Sequence, residues 1–221
     1  MPSRLRPTSS LATDAILVGD PGRSLLLAQE LLEQPKMSNH ARGLWGYSGR
    51  TPGGDELTVQ ATGMGGPSAA VVLADLAELG VCRAVRIGTC TGLTEELEAG
   101  DLLCVEEAHA WGGPGGRDGE AVHPNPELSS ALLARLGEDA RRGTVASLDT
   151  LHASETDAGK LGADAADMQT AALFGSGAGL GVAIAAVLIV TAAANGEQIG
   201  DEAEQQAAKL AGTASAAILS P

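Results

Sequence analysis

Short apolar runs recur along the chain at 15–18, 57–62, 84–88, 101–105, 143–147 and 183–191, each of a length that suits a buried strand. Between several of them apolar positions return at helical spacing, over 24–34, 67–79, 126–136 and 157–173, and a last helical pattern fills 201–219. This alternation predicts an α/β fold, a three-layer α/β/α sandwich around a mixed, largely parallel central sheet. "TPGGDE" at 51–56 has the residues of a hairpin turn, so part of the sheet should be antiparallel. "WGGPGGRDGE" at 111–120 is the one low-complexity stretch and reads as a surface loop rather than a linker, which leaves a single domain over 1–221.

One segment tests this reading. Met168 to Gly196 holds no charged residue and is long enough for a membrane span. Its glycines argue otherwise: "GSGAGLG" at 175–181 divides it into a buried helix at 168–174, a glycine-rich turn and a buried strand.

Composition narrows the partners. With 44% hydrophobic residues in 221, a core is easily built. The net charge of −14, from 14 basic and 28 acidic residues, argues against nucleic acid or an anionic membrane as partner. A bound anion then needs a local cluster of arginines, effective within a screening length of about 8 Å. Cys82, Cys90 and Cys104 are odd in number and form no Cys-x-x-Cys pair, and His40, His109, His123 and His152 lack metal-like spacing. No apolar signal precedes the first strand, so reduced thiols, a cytoplasmic location and no structural metal are expected.

In open α/β sheets ligands gather at the carboxyl ends of strands. There this chain carries Gly19 and Arg23 after the first run, "GMGGPS" at 63–68 after the second, and Thr89 after "AVRIG", with Arg86 inside that run. Glycine-turn amides, guanidinium groups and a threonine hydroxyl are donors suited to phosphate. The same glycines also end strands in general, and arginines commonly lie on surfaces. Arg86 is different, because a charge inside an apolar strand is costly unless paired.

"VGDPGR" (18–23), "ARGLWGYSG" (41–49), "ATGMGGPSAA" (61–70) and "VRIGTCTGL" (85–93) resemble, in order and spacing, the purine nucleoside phosphorylase and uridine phosphorylase family. The similarity continues through "GDLLCVEEA" (100–108), "NPELSSALL" (125–133), "ASLDT" (146–150) and "ADMQTAALF" (166–174), nearly the whole chain. The resemblance implies attack of inorganic phosphate, as co-substrate and without another cofactor, on the anomeric carbon of a nucleoside. It implies a phosphate site made of Gly19, Arg23, Arg86, Thr89 and, from a neighbouring subunit, Arg42. A homo-oligomer follows, with a dimer as the minimal unit and a hexamer as the expected assembly. Met64, Asp167, Met168 and Gln169 would contact the nucleoside.

Two positions depart from the family pattern. Gln169 stands where the family has a glutamate that grips the ribose hydroxyls, and a neutral acceptor predicts weaker ribose binding. Ala194 stands at the purine-protonating aspartate, leaving Asn195 as the nearest polar group, able to hydrogen-bond a base but not to act as an acid. Arg86, Gln169 and Asn195 are therefore the expected catalytic set. The glutamine and arginine pair by which uridine phosphorylases hold uracil has no match after Asp149, and His152 is either a substrate contact or a solvated loop residue. The expected activity is phosphorolysis of uridine or a related nucleoside, the alternatives being an impaired nucleoside or phosphate binder and a nucleosidase.

Overall fold

Asp20 begins the first helix by accepting the Arg23 N–H at its side-chain oxygen (2.8 Å), with Pro21 in the first turn. An N-cap followed by proline is a strong start signal, so α1 runs Pro21–Leu31, three residues earlier at each end than the apolar spacing suggests. The computed structural model describes residues 4–111, 117–149 and 161–220, and in β7 the side chains of 121–122 only.

Ten strands lie among these residues: β1 Asp14–Val18, β2 Glu33–Asn39, β3 Gly46–Arg50, β4 Glu56–Ala61, β5 Arg83–Gly92, β6 Leu102–Trp111, β7 Arg117–Val122, β8 Ala140–Leu148, β9 Ala165–Asp167 and β10 Ala183–Ala192. The further helices are α2 Gly66–Glu78, α3 Pro126–Leu136, α4 Thr170–Leu180 and α5 Asp201–Leu219. β1 lies between β4 and β5 in parallel register, and β3 joins β4 through the expected hairpin. β5 and β10 run parallel, as do β6 with β8 and β8 with β9, whereas β10–β6, β5–β9, β6–β7 and β2–β3 are antiparallel. The sheet is thus more evenly mixed than the alternation of runs implies. Because β5 pairs with both β10 and β9, the strands β5–β10–β6–β8–β9 close into a ring.

Alternate side chains of the buried strands enter two separate cores. Ala15 and Leu17 join Val72 and Leu76 of α2 and Leu173 of α4 on one side. Ile16 and Val18 join Leu27 of α1, Leu132 of α3 and Ala211 of α5 on the other.

Three sequence expectations are corrected here. Residues 165–167 belong to a strand, not to a helix over 157–173, and 151–160 lie outside the described residues. Helix α4 continues through the glycines of 175–181 to Leu180. A Cβ at Gly177 would sit 2.6 Å from Ile184 Cδ1 and 3.0 Å from the Val182 carbonyl, so the glycine serves helix–strand contact rather than a turn. The stretch 111–120 contributes the end of β6 and the start of β7, with 112–116 outside the described residues. The uncharged 168–196 segment resolves into α4 and β10, and no helix among the described residues is long and apolar enough to cross a membrane.

Candidate active site

β5 creates the site by changing neighbours. Its first half, Arg83–Ile87, pairs with β1, which ends at Val18, while Thr91 and Gly92 on the same edge pair with β9. Between them the edge is open, at the carboxyl ends of β1 and β4, where crevices form in α/β sheets.

Arg86 lies at this opening, 4% exposed. Its charge is paired, as its burial requires. Nη2 donates to Asp167 Oδ2 (2.9 Å), Nη1 to Gln169 Oε1 (2.6 Å) and Nε to Thr170 Oγ1 (3.1 Å). Asp167, at the end of β9, also accepts from the Thr170 hydroxyl (2.6 Å) and N–H (3.0 Å) and from the Ser147 hydroxyl. Ser147 in turn accepts the Ala171 N–H at 2.9 Å, tying β8 to the first turn of α4. A buried ion pair satisfied in this way avoids the desolvation penalty of an incomplete one. Burial pushes the Arg86 pKa down from the guanidinium value, Asp167 opposes this, and the nearby Arg23 charge lowers it further. Arginine still stays protonated. At Gly88 a Cβ would fall 2.5 Å from Arg86 Nη2, so only glycine leaves room for the guanidinium.

The remaining expected residues separate into those that converge on Arg86 and those that do not. Gly19 approaches both the Gly63 carbonyl and Gln169 Oε1, within 4 Å of the position of an added Cβ. Gln169, 3% exposed, holds the 62–65 backbone as well as Arg86. Arg23 is ion-paired with Glu204 in the first turn of α5, beside a cavity of about 440 Å³ that Asp20 and Asp201 also line. Thr89 is half-buried on β5, opposite Ile189 of β10. Met168 lines a second open cavity of about 330 Å³ with Gly66, Trp111, Ser147 and Asp149.

Met64 is 83% exposed on the loop between β4 and α2. Arg42 is exposed in the turn Ala41–Gly43 with φ of 60°, a left-handed conformation that costs a non-glycine residue about 1 kcal/mol. Ala194 and Asn195 lie in an exposed turn, where Asn195 Oδ1 accepts the Glu197 N–H at 2.9 Å. His152 lies outside the described residues.

Four residues that sequence reasoning did not single out complete the network: Thr62, Ser147, Thr170 and Glu204. Thr170 follows Asp167 by three positions, the spacing of a capping side chain, and was the one with a readable signal. Nothing local connects Glu204 to Arg23, 181 residues away.

The fold and site together define an α/β protein whose strand ends bring backbone carbonyls and a carboxylate-held guanidinium together. The chain belongs to the phosphorylase superfamily, whose family model matches residues 13–220. It is 30% identical over 193 residues to a DeoD-type purine nucleoside phosphorylase of Clostridium perfringens, covering 82% of each chain. A DeoD-type purine nucleoside phosphorylase of Clostridium novyi is 30% identical over 195 residues, covering 83% of each. In fold the chain is similar to a uridine phosphorylase from Vibrio fischeri (TM-score 0.82, 22% identity, 95% of this chain and 92% of that one). A purine nucleoside phosphorylase from Toxoplasma gondii in complex with immucillin-H matches equally well in coverage, at a TM-score of 0.81 and 21% identity.

Proposed function

We propose that the protein is a nucleoside phosphorylase that cleaves uridine or a related nucleoside to free base and ribose 1-phosphate. The observation that carries this reading is the convergence of Gly19, the 62–65 backbone and Gln169 on Arg86, with Arg23 close enough to depress the Arg86 pKa. Of the five guanidinium N–H groups of Arg86, three are engaged by described residues, which leaves two for a phosphate oxygen. Thr89 and the Gly19 amide add neutral donors, and Arg42 would reach the site from a neighbouring subunit of a homo-oligomer.

In this mechanism a phosphate oxygen attacks the anomeric carbon as the glycosidic C–N bond breaks and its electron pair passes to the base. Arg23 and Arg86 hold the nucleophile in place and limit its loss to water. Ala194 supplies no proton, so the base leaves as an anion and takes its proton from solvent. The Asn195 amide nitrogen is left to hydrogen-bond the base, since among the described residues the turn uses Oδ1. This favours a base that leaves without a positioned acid, in line with a pyrimidine. Ala194→Asp should raise purine cleavage by up to the 10²–10⁴-fold typical of a general acid, measured as purine against pyrimidine release; equal gains on both would refute the assignment.

A second reading, binding without turnover, is favoured by one observation: Arg23 and Arg86 each already hold an internal carboxylate, Glu204 and Asp167. Chromatographic release of base from a panel of nucleosides, with and without phosphate, separates the readings. Phosphate-dependent release supports phosphorolysis, phosphate-independent release a nucleosidase, and no release with phosphate still bound the second reading.

A further inference from the structure

Every hydrogen-bonding position of the Gln169 side chain has a partner. Oε1 accepts from Arg86 Nη1 (2.6 Å) and faces the Thr62 hydroxyl (3.2 Å), which it shares with the Val18 carbonyl (3.0 Å). Nε2 donates to the carbonyls of Gly63 (2.6 Å) and Gly65 (3.3 Å). A primary amide has two donor hydrogens and two acceptor lone pairs, so a sugar hydroxyl is left at most the one lone pair that faces the shared Thr62 hydroxyl. The orientation is also determined by chemistry. Rotating the amide by half a turn would set its NH₂ against a guanidinium and its oxygen against two carbonyls.

We propose that Gln169 is a positioning residue rather than a sugar ligand: its amide clamps Arg86 of β5 to the 62–65 backbone that carries Met64. The clamp requires a group that accepts at one end and donates at the other. A carboxylate at 169 would keep the contact with Arg86, whose charge Asp167 already balances, but would place an acceptor oxygen against the Gly63 and Gly65 carbonyls. The loop would then part from the guanidinium. The kinetic consequence rests on the phosphorylase reading; the clamp itself rests only on the hydrogen bonds.

Two measurements test it. In steady-state kinetics with phosphate and nucleoside varied in turn, Gln169→Glu should raise the phosphate KM about tenfold, the effect of losing the alignment of one charge-assisted hydrogen bond. The nucleoside KM should not fall. A lower nucleoside KM with an unchanged phosphate KM would make position 169 a sugar ligand and overturn the proposal. Independently of turnover, urea unfolding of Arg86→Met, Gln169→Leu and the double variant should show non-additive losses. Additive losses would overturn the clamp. If no nucleoside is cleaved by the unaltered protein, the proposed activity fails and the unfolding cycle still decides the role of the amide.

Discussion

On the phosphorylase reading, phosphate and Glu204 compete for the Arg23 charge, and that competition has a measurable size. The Arg23 side chain is 12% exposed and that of Glu204 30%, so the pair lies between a surface salt bridge and a buried one. Exposed pairs contribute about 0.2–1 kcal/mol, and hydrogen bonds to charged groups about 1.5–3 kcal/mol. A value of about 1 kcal/mol for the partly shielded pair converts to roughly a fivefold change in affinity. Glu204→Gln should therefore tighten inorganic phosphate about fivefold, read by calorimetric titration of the nucleoside-free protein. The gain should shrink as salt is raised, since exposed charges at this cavity are screened within about 10 Å at 0.1 M. Global stability should fall by less than about 1 kcal/mol. Phosphate binding that is unchanged or weaker in a folded Glu204→Gln protein would refute the reasoning. Glu204 would then orient Arg23 toward phosphate instead of competing for it.

The structure makes three further demands. Asp167→Ala leaves Arg86 buried without its carboxylate and should cost about 3–5 kcal/mol in urea unfolding; a loss below about 1 kcal/mol would show that water reaches the guanidinium. Burial raises the Cys90 thiol pKa strongly and pushes that of Cys104 up to about 11, whereas Cys82 is exposed. Their thiolates are scarce at pH 8, so a disulfide reagent should modify Cys82 alone in the folded protein and all three cysteines in denaturant. Gly177→Ala pushes a methyl against Ile184 and the Val182 carbonyl, and should destabilise by about 1–3 kcal/mol, visible as a lowered midpoint with an unchanged denaturant slope.

What could be read in advance, and what could not, follows from where the determining contacts lie. β1 and β10 were readable because strands buried on both sides need near-continuous apolar runs, and α3 because Asn125 caps it at Leu128 N–H (2.9 Å) before Pro126 opens the helix. β2 escaped notice because it is a polar sheet-edge strand, Glu33–Asn39, with Pro35 tolerated at the rim. β9 escaped because three residues between a turn and a helix carry no period at all. The same division holds at the site. Arg86 announced its need for a partner, since a charge in an apolar strand must be paired, and Asp167 answers it. Gln169 was read as facing the sugar because a departure from glutamate looks like a lost acceptor. In the fold the amide also gains donors, and two backbone carbonyls take them. A substitution that removes a charge from a ligand position thus changes which neighbours the side chain is able to hold. That exchange is decided by the carbonyls of a loop more than a hundred positions earlier in the chain, where sequence spacing carries no information.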